Sequence, residues 1–275
     1  MKTLLTLWIT HLALFSASVA SADVKPINIL LINGGCCHDY DAQGPVLKAI
    51  IENSLSAKVT IASSSSNKTD ARFEAYKKED WADGYDLVIH NECSAKVTDK
   101  EYVERILKAH RNGVPAVNIH CAMHCYRWGN YKEPVQLGDD NAAWFEMIGL
   151  QSSGHGPKFP VSVEYMKDTH PITKGLKDWV TPVGELYNNV QIFDTATSLA
   201  MGTQTNKDGG ESEAVIVWTS LYGPKKTKTF SVSVGHTSEE MADENFGLLL
   251  NRGILWCVGK LDDSGKPAKG YWTEK

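Results

Sequence analysis

The chain has 275 residues, a net charge of -5 at pH 7, and no basic run beyond Lys225-Lys226-Thr227-Lys228. That balance excludes a broad cationic face for nucleic acid and makes the short run a solvated turn. The composition is ordinary for a globular protein and supports one large domain or two small ones around a sizeable core.

The first residues read as a leader. Met1-Lys2 gives a positive start, Leu4 to Phe15 an apolar stretch, and Ser18-Val19-Ala20 or Ala20-Ser21-Ala22 a small-residue cleavage site. Thr6, Thr10 and His11 interrupt the apolar run, which is too short for a comfortable membrane span. The expectation is a signal peptide over 1–22, a mature chain from about Asp23, and a periplasmic or extracellular location with no membrane anchor after cleavage.

In chain order, Ile27 to Asn33 reads as a buried strand, Gly34-Gly35-Cys36-Cys37-His38 as a tight loop, and Pro45 to Ser54 as a helix carrying Val46, Leu47, Ile50 and Ile51 at helical spacing. Lys58 to Ala62 is a second strand, and Tyr85 to His90 a third that ends on Asn91, Glu92 and Cys93. Thr98 with Glu101 forms a capping-box pattern for a helix reaching about Asn112. Pro115 to Ile119 is a short apolar strand that stops on His120, Cys121, His124 and Cys125, and a helix follows from Asn141 to Ile148. Alternation at this spacing argues for a doubly wound parallel sheet, in which ligands bind beyond the carboxyl ends of the strands.

The second half changes character. Val161 to Tyr165, Glu185 to Asn189, Leu199 to Thr203, Ala214 to Trp218 and Thr229 to Val234 read as strands, before a helix from Met241 to Val258. No linker rich in Pro, Gly or Ser divides the halves, so these strands are expected to continue one sheet, some of them antiparallel.

Chemically able residues cluster at these strand ends and in glycine-flanked loops. They are His38, Asn91, Glu92, His120, His155 in Gly154-His155-Gly156, Glu185, and His236 after Gly235. Glycine beside histidine lets the backbone approach a ligand and leaves the imidazole uncovered. Converging imidazoles with a carboxylate can hold a divalent metal, with His38, His120 and His236 as ligands, or serve as a proton-transfer set near neutral pH. No His-Glu-x-x-His or Cys-x-x-Cys motif selects between the two. Trp128 and Tyr187 are candidate sugar-stacking residues, whereas Trp144 on an amphipathic helix reads as core. Cys121 and Cys125 are candidate nucleophiles, with His120, His124 or His236 as a base, although no Gly-x-Cys-x-Gly frame surrounds either cysteine. Cys257 reads as a buried thiol. Among Cys36, Cys37, Cys93, Cys121 and Cys125, spacing leaves a disulfide or a metal open, and bonding the adjacent Cys36 and Cys37 would strain the peptide between them.

Ile29-Leu-Leu-Ile-Asn-Gly-Gly35 with His38-Asp-Tyr40, Gly113-Val-Pro-Ala-Val-Asn-Ile-His120, His170-Pro-Ile-Thr-Lys-Gly175, Gly184-Glu-Leu-Tyr187 and Val234-Gly-His236 together resemble the trehalose-utilisation, ThuA-like family over about residues 26 to 260. The resemblance implies a flavodoxin-like, class I glutamine-amidotransferase-like α/β fold. With the antiparallel additions read above, this gives one domain over 23–262 and a tail over 263–275. It also implies a role in catabolism of trehalose-like disaccharides through 3-keto-sugars. His120 stands where amidotransferases carry their nucleophilic Cys, and Cys121, one residue on, is expected to point elsewhere. Thr237 and Ser238 after His236 break the His-x-Glu pattern, so glutaminase activity is not expected. Gly184 stands where many relatives have Asp.

The resulting expectation is an exported enzyme acting on a disaccharide or 3-keto-sugar. His120, His236 and Glu185 are its catalytic groups, and His38, Asn91, Glu92, His155, Tyr187 and Trp128 contact substrate. A sugar-binding or scaffold module without catalysis and a cysteine hydrolase using Cys121 are the alternatives.

Overall fold

A computed structural model describes residues 24–166 and 170–273. The proposed leader over 1–22 lies outside the described residues. The elements in order are β1 (Ile27–Gly35), α1 (Tyr40–Ser54), β2 (Ala57–Ser63), β3 (Leu87–Cys93), α2 (Lys100–Arg111) and β4 (Ala116–Ile119). A 3-10 turn over His120–His124 follows, then α3 (Ala143–Ile148), β5 (Leu150–Gln151), β6 (His155–Phe159), β7 (Ser162–Tyr165) and β8 (Trp179–Val180). The chain continues with β9 (Gly184–Tyr187), β10 (Gln191–Ile192), β11 (Ala196–Thr205), β12 (Glu211–Tyr222), β13 (Thr227–Val232), α4 (Ser238–Met241) and α5 (Glu244–Cys257).

Nine strands form the main sheet in the order β2-β1-β3-β4-β13-β12-β11-β7-β8. The first five are mutually parallel, and the remaining pairings are antiparallel. The parallel half thus has the flavodoxin-type order, with its switch point between β1 and β3. Strand alternation sorts the core into two layers. Ile27, Ile29 and Leu31 pack against Leu47 and Ile51 of α1 and Leu250 and Ile254 of α5. Leu30 and Ile32 pack instead with Val103, Ile106 and Leu107 of α2 and Met147 of α3. Among the described residues no helix is long and apolar enough to cross a membrane.

Several boundaries differ from the sequence reading for local reasons. The first helix begins five residues before Pro45, because the Asp39 carboxylate accepts from the Ala42 N–H and caps it. The second helix is capped by Asp99, which accepts from the Tyr102 N–H, and not by Thr98. The last expected helix begins at Glu244, capped by Asp243, and a separate short helix capped by Thr237 precedes it. β9 does not join the main sheet as expected. It pairs with β6 in a separate two-stranded sheet, which carries Glu185 and His155 side by side over the carboxyl ends of the parallel strands. The segment after Lys260 docks on the fold, with Trp272 bridged to Leu55 and the Ser56 N–H donating to the Tyr271 carbonyl.

Candidate functional site

β1, β3, β4 and β13 run parallel and deliver their carboxyl ends to one edge of the sheet, so the loops that follow them meet there. The loop after β1 must pass Cys93 closely. Gly35 has φ +99°, and a Cβ there would lie 2.2 Å from the Cys93 carbonyl oxygen, so only glycine fits and His38 follows in a fixed place. β4 ends at Ile119, and His120 turns the chain at φ +46°, a left-handed conformation that a non-glycine residue holds only under restraint. After β13, Gly235 at φ +110° packs beneath Phe246 and sets out His236.

The three imidazoles converge. Ring centroids lie 4.8 Å apart for His38 and His120, 4.9 Å for His38 and His236, and 5.3 Å for His120 and His236. One ligand-capable nitrogen from each lies within 4.8 Å of the others. His120 Nδ1 donates to the Ser233 carbonyl at 2.6 Å, which leaves its Nε2 as the lone-pair nitrogen, 3.3 Å from His236 Nδ1 and 3.2 Å from the Tyr187 hydroxyl. Gln43 Nε2 holds the His236 carbonyl at 3.0 Å, and Glu240 accepts the His236 N–H at 2.6 Å. Glu185 closes the group. Its Oε2 is 3.5 Å from His120 Nε2 and 3.4 Å from His236 Nδ1, and its Oε1 is 3.6 Å from His155 Nδ1.

Electrostatics keep this group ready to bind a cation. Burial, then the neighbouring His120 and His236, push the His38 imidazole down to about 3, so it is neutral at pH 7. Burial likewise lowers His120. For Glu185, burial works upward, but the adjacent His120 and His236 imidazoles outweigh it and hold the carboxyl well below the usual range. His38 Nδ1 is buried with no hydrogen-bond partner. A buried, neutral, unpartnered imidazole nitrogen beside two others and a carboxylate is a donor set that fits a divalent cation.

The group opens into a cavity of about 620 Å³, a size suited to small-molecule ligands. Cys36, Cys37, Cys93 and Cys121 form part of its wall, with His124, Arg127, His155, Lys158 and Tyr187 among the other lining residues. The cysteines are paired Cys36–Cys37 and Cys93–Cys121, while Cys125 and Cys257 are free and buried. The adjacent pair is therefore bonded despite the strain its peptide carries, and Cys37 takes φ +85°. Cys121 does not turn away from the cleft as expected. It lines the wall as a disulfide partner, which removes the free thiol that a cysteine hydrolase needs.

Three expected contact residues do not reach the cavity. Asn91 is buried and donates to Asn33 Oδ1 at 2.9 Å and Gln43 Oε1 at 3.2 Å. Glu92 points to the opposite face and is fully buried, accepting from Tyr76 at 2.7 Å, from Tyr126, and from His90 Nδ1 at 2.7 Å. Trp128 lies in a separate surface groove with Lys100 and Asp140. Tyr187 is buried and stacked flat on His124 at 4.2 Å, so it buttresses His120 from the floor of the cavity. Trp144 is core, its indole N–H bonded to the Ala122 carbonyl. The sequence reading passed over Arg127 and Lys158, which have no motif. It named His124 at the end of the fourth strand but not among the site residues.

The profile of the family described as trehalose utilisation, ThuA, matches residues 28–257. The chain belongs to this family. Among solved structures it is similar to a ThuA-like protein from Parabacteroides merdae (21% identity, TM-score 0.66, covering 91% of this chain and 98% of that one). It is also similar to a ThuA-like protein from Bacteroides uniformis (19%, TM-score 0.60, 90% and 98%). A cytoplasmic protein from Salmonella typhimurium LT2 shares the fold at 10% identity (TM-score 0.53, 84% and 99%). No individually curated protein matches the chain. The ThuA assignment relates the chain to trehalose utilisation, and the low identities of the solved structures establish the fold alone.

Proposed function

We propose that this ThuA protein is a carbohydrate-processing enzyme that removes a proton next to the ketone of a 3-keto-sugar or keto-disaccharide in the His/Glu cleft. The observation that carries the reading is the convergence of His38, His120 and His236 on one point beside Glu185. A ketone at C3 acidifies the hydrogen on C2, so a base there generates an enolate. Returning the proton to the other face isomerises C2, while expelling the C1 substituent from the same enolate gives elimination.

His38, His120 and His236 would hold a divalent cation, which supplies positive charge beside a ketone oxygen and lowers the cost of the enolate. Glu185 is too weak a base for the C2 proton, since His120 and His236 stabilise its ionised form. This assigns the base to His155, whereas the sequence reading named His120, His236 and Glu185 together as the catalytic groups. His155 Nδ1 donates to the Gly156 carbonyl at 2.9 Å with Glu185 Oε1 3.6 Å away, so its Nε2 is free at the cavity wall to take a proton. Glu185 then stabilises the imidazolium, which makes it an electrostatic and positioning group. We also propose export. The leader pattern supports it, and two disulfides at the cleft suit an oxidising compartment.

The test is elemental analysis of purified protein, followed by hydrogen–deuterium exchange at C2 of 3-keto-disaccharides and their unoxidised counterparts. About one divalent cation per chain is expected, lost in His120→Ala and His236→Ala, with exchange on keto-sugars only. His155→Gln should retain the cation and lose exchange by at least about a hundredfold. A cation-free protein that binds sugars without exchanging C2 would overturn the enzyme reading in favour of a binding module.

A further inference from the structure

Two permanent cations reach the cavity wall, Arg127 and Lys158, against a single carboxylate, Glu185, which three imidazoles already share. Arg127 is half-buried on the chain that leaves the turn after β4. Its Nη1 donates to the Ser153 carbonyl at 3.2 Å, and its guanidinium lies 4.4 Å over the Tyr131 ring. Those two contacts set its position and use one of its five N–H groups. Among the described residues no carboxylate forms an ion pair with Arg127 or with Lys158, although surface pairs elsewhere in the fold are plentiful. Burial lowers the Arg127 guanidinium, as expected of a cation set into a wall without a counter-charge. A half-buried, unpaired guanidinium is costly for a fold to keep unless something outside the chain neutralises it. A bound divalent cation would make the cavity more positive still.

We propose that Arg127 and Lys158 form a subsite for an oxyanion substituent on the sugar, so that the cleft takes an acidic rather than a neutral glycoside. The planar fork of Arg127 matches a carboxylate, sulfate or phosphate group in two-point contact, and Lys158, exposed at the rim, adds a point charge. Ser153, Gly154 and Thr69 line the same cavity. The inference rests on the cleft being a sugar site, and it narrows the substrate from a plain disaccharide to one carrying a negative group.

The test measures dissociation constants for glucose, glucuronate, glucose 6-sulfate, glucose 6-phosphate and inorganic phosphate by calorimetry at low and high salt. Glucuronate, or one of the other two sugar anions, should bind at least tenfold tighter than glucose at low salt, and less so at high salt. The tightest of the three names the substituent. Arg127→Gln should abolish the preference, Arg127→Lys should retain part of it, and Lys158→Gln should weaken it severalfold, all with metal content unchanged and melting temperature not lowered. Equal affinity for glucose and every sugar anion, or a preference undiminished in Arg127→Gln, overturns the proposal. So does inorganic phosphate binding as tightly as the sugar anions. His120→Ala separates this inference from the reading beneath it. If that variant keeps the anion preference while the wild-type protein shows no cation and no C2 exchange, the subsite stands and the enzyme mechanism falls.

Discussion

His120 shows how much of this site is decided at one residue. Its φ of +46° places the imidazole beyond the end of β4 and under the loop that carries His236, while Ser233 fixes its tautomer. A residue with a Cβ costs about 1 kcal/mol more than glycine in that conformation. His120→Gly and His120→Ala should therefore both lose the cation, and the glycine variant should be the more stable by about 1 kcal/mol. Urea titration compares them, and equal midpoints would mean that the strained turn relaxes when the imidazole goes. The sequence made His120 visible because an apolar run stopping on histidine is uncommon, His155 and His236 through their glycines, and His38 by its place after the first strand. It could not place Asn91 and Glu92. Side chains of neighbouring strand residues point to opposite faces, and Glu92 follows His90 to the α2 side, where Tyr76 and Tyr126 satisfy it. Arg127 was invisible because its meaning depends on the absence of a carboxylate nearby, which only folding reveals.

Two disulfides lie side by side in the cavity wall, yet they act on very different lengths of chain. Cys93–Cys121 ties the end of β3 to the turn after β4 across a separation of 28 residues, whereas Cys36–Cys37 closes no loop at all. Loop-closure entropy in the unfolded chain gives the first a stabilising effect of about 3–4 kcal/mol and the second almost none. The double variant Cys93→Ser/Cys121→Ser should accordingly unfold at markedly lower denaturant, and Cys36→Ser/Cys37→Ser within about 1 kcal/mol of the parent. If the adjacent pair proved the more costly to remove, its effect would lie in holding the His38 loop and not in the unfolded state. Elements were legible in proportion to how local their signals are. The parallel strands announced themselves as apolar runs, and the helices by spacing. The β6–β9 pair packs against β11 and β12, a contact between distant segments, so the sequence showed a strand there but not its partner.

Across the whole molecule, burial of neutral histidine links the fold to pH. Beneath the candidate site and on the other side of the sheet, Glu92, His90 and His110 form a buried chain joining β3 to α2. His90 Nε2 is 3.0 Å from His110 Nε2, and His110 Nδ1 donates to the Val114 carbonyl at 2.7 Å. Burial first, and then His90 beside it, push His110 down to about 3 from an ordinary value of 6.5. The folded state therefore resists protonation at His110 until about pH 3, while the unfolded chain takes up that proton near pH 6.5. Between those values the unfolded state binds more protons, so stability falls as pH drops, and the full contribution is present only above about pH 6.5. A shift of this size corresponds to a loss on the order of 4 kcal/mol by pH 3. His38 adds to the same acid sensitivity, since burial and its neighbours also hold it near 3. His110→Gln keeps a polar side chain with no proton to gain and lies far from the cavity, so it isolates one term. Its stability, measured by denaturant titration from pH 7.5 down to 3.5, should start below the parent because the hydrogen bond to the Val114 carbonyl and the packing against His90 are disturbed. It should then fall less steeply, so that the two curves converge as the pH drops. Parallel curves over that whole range would show that His110 protonates without cost in the folded state, and that the acid sensitivity of the protein resides in His38 and the other buried histidines.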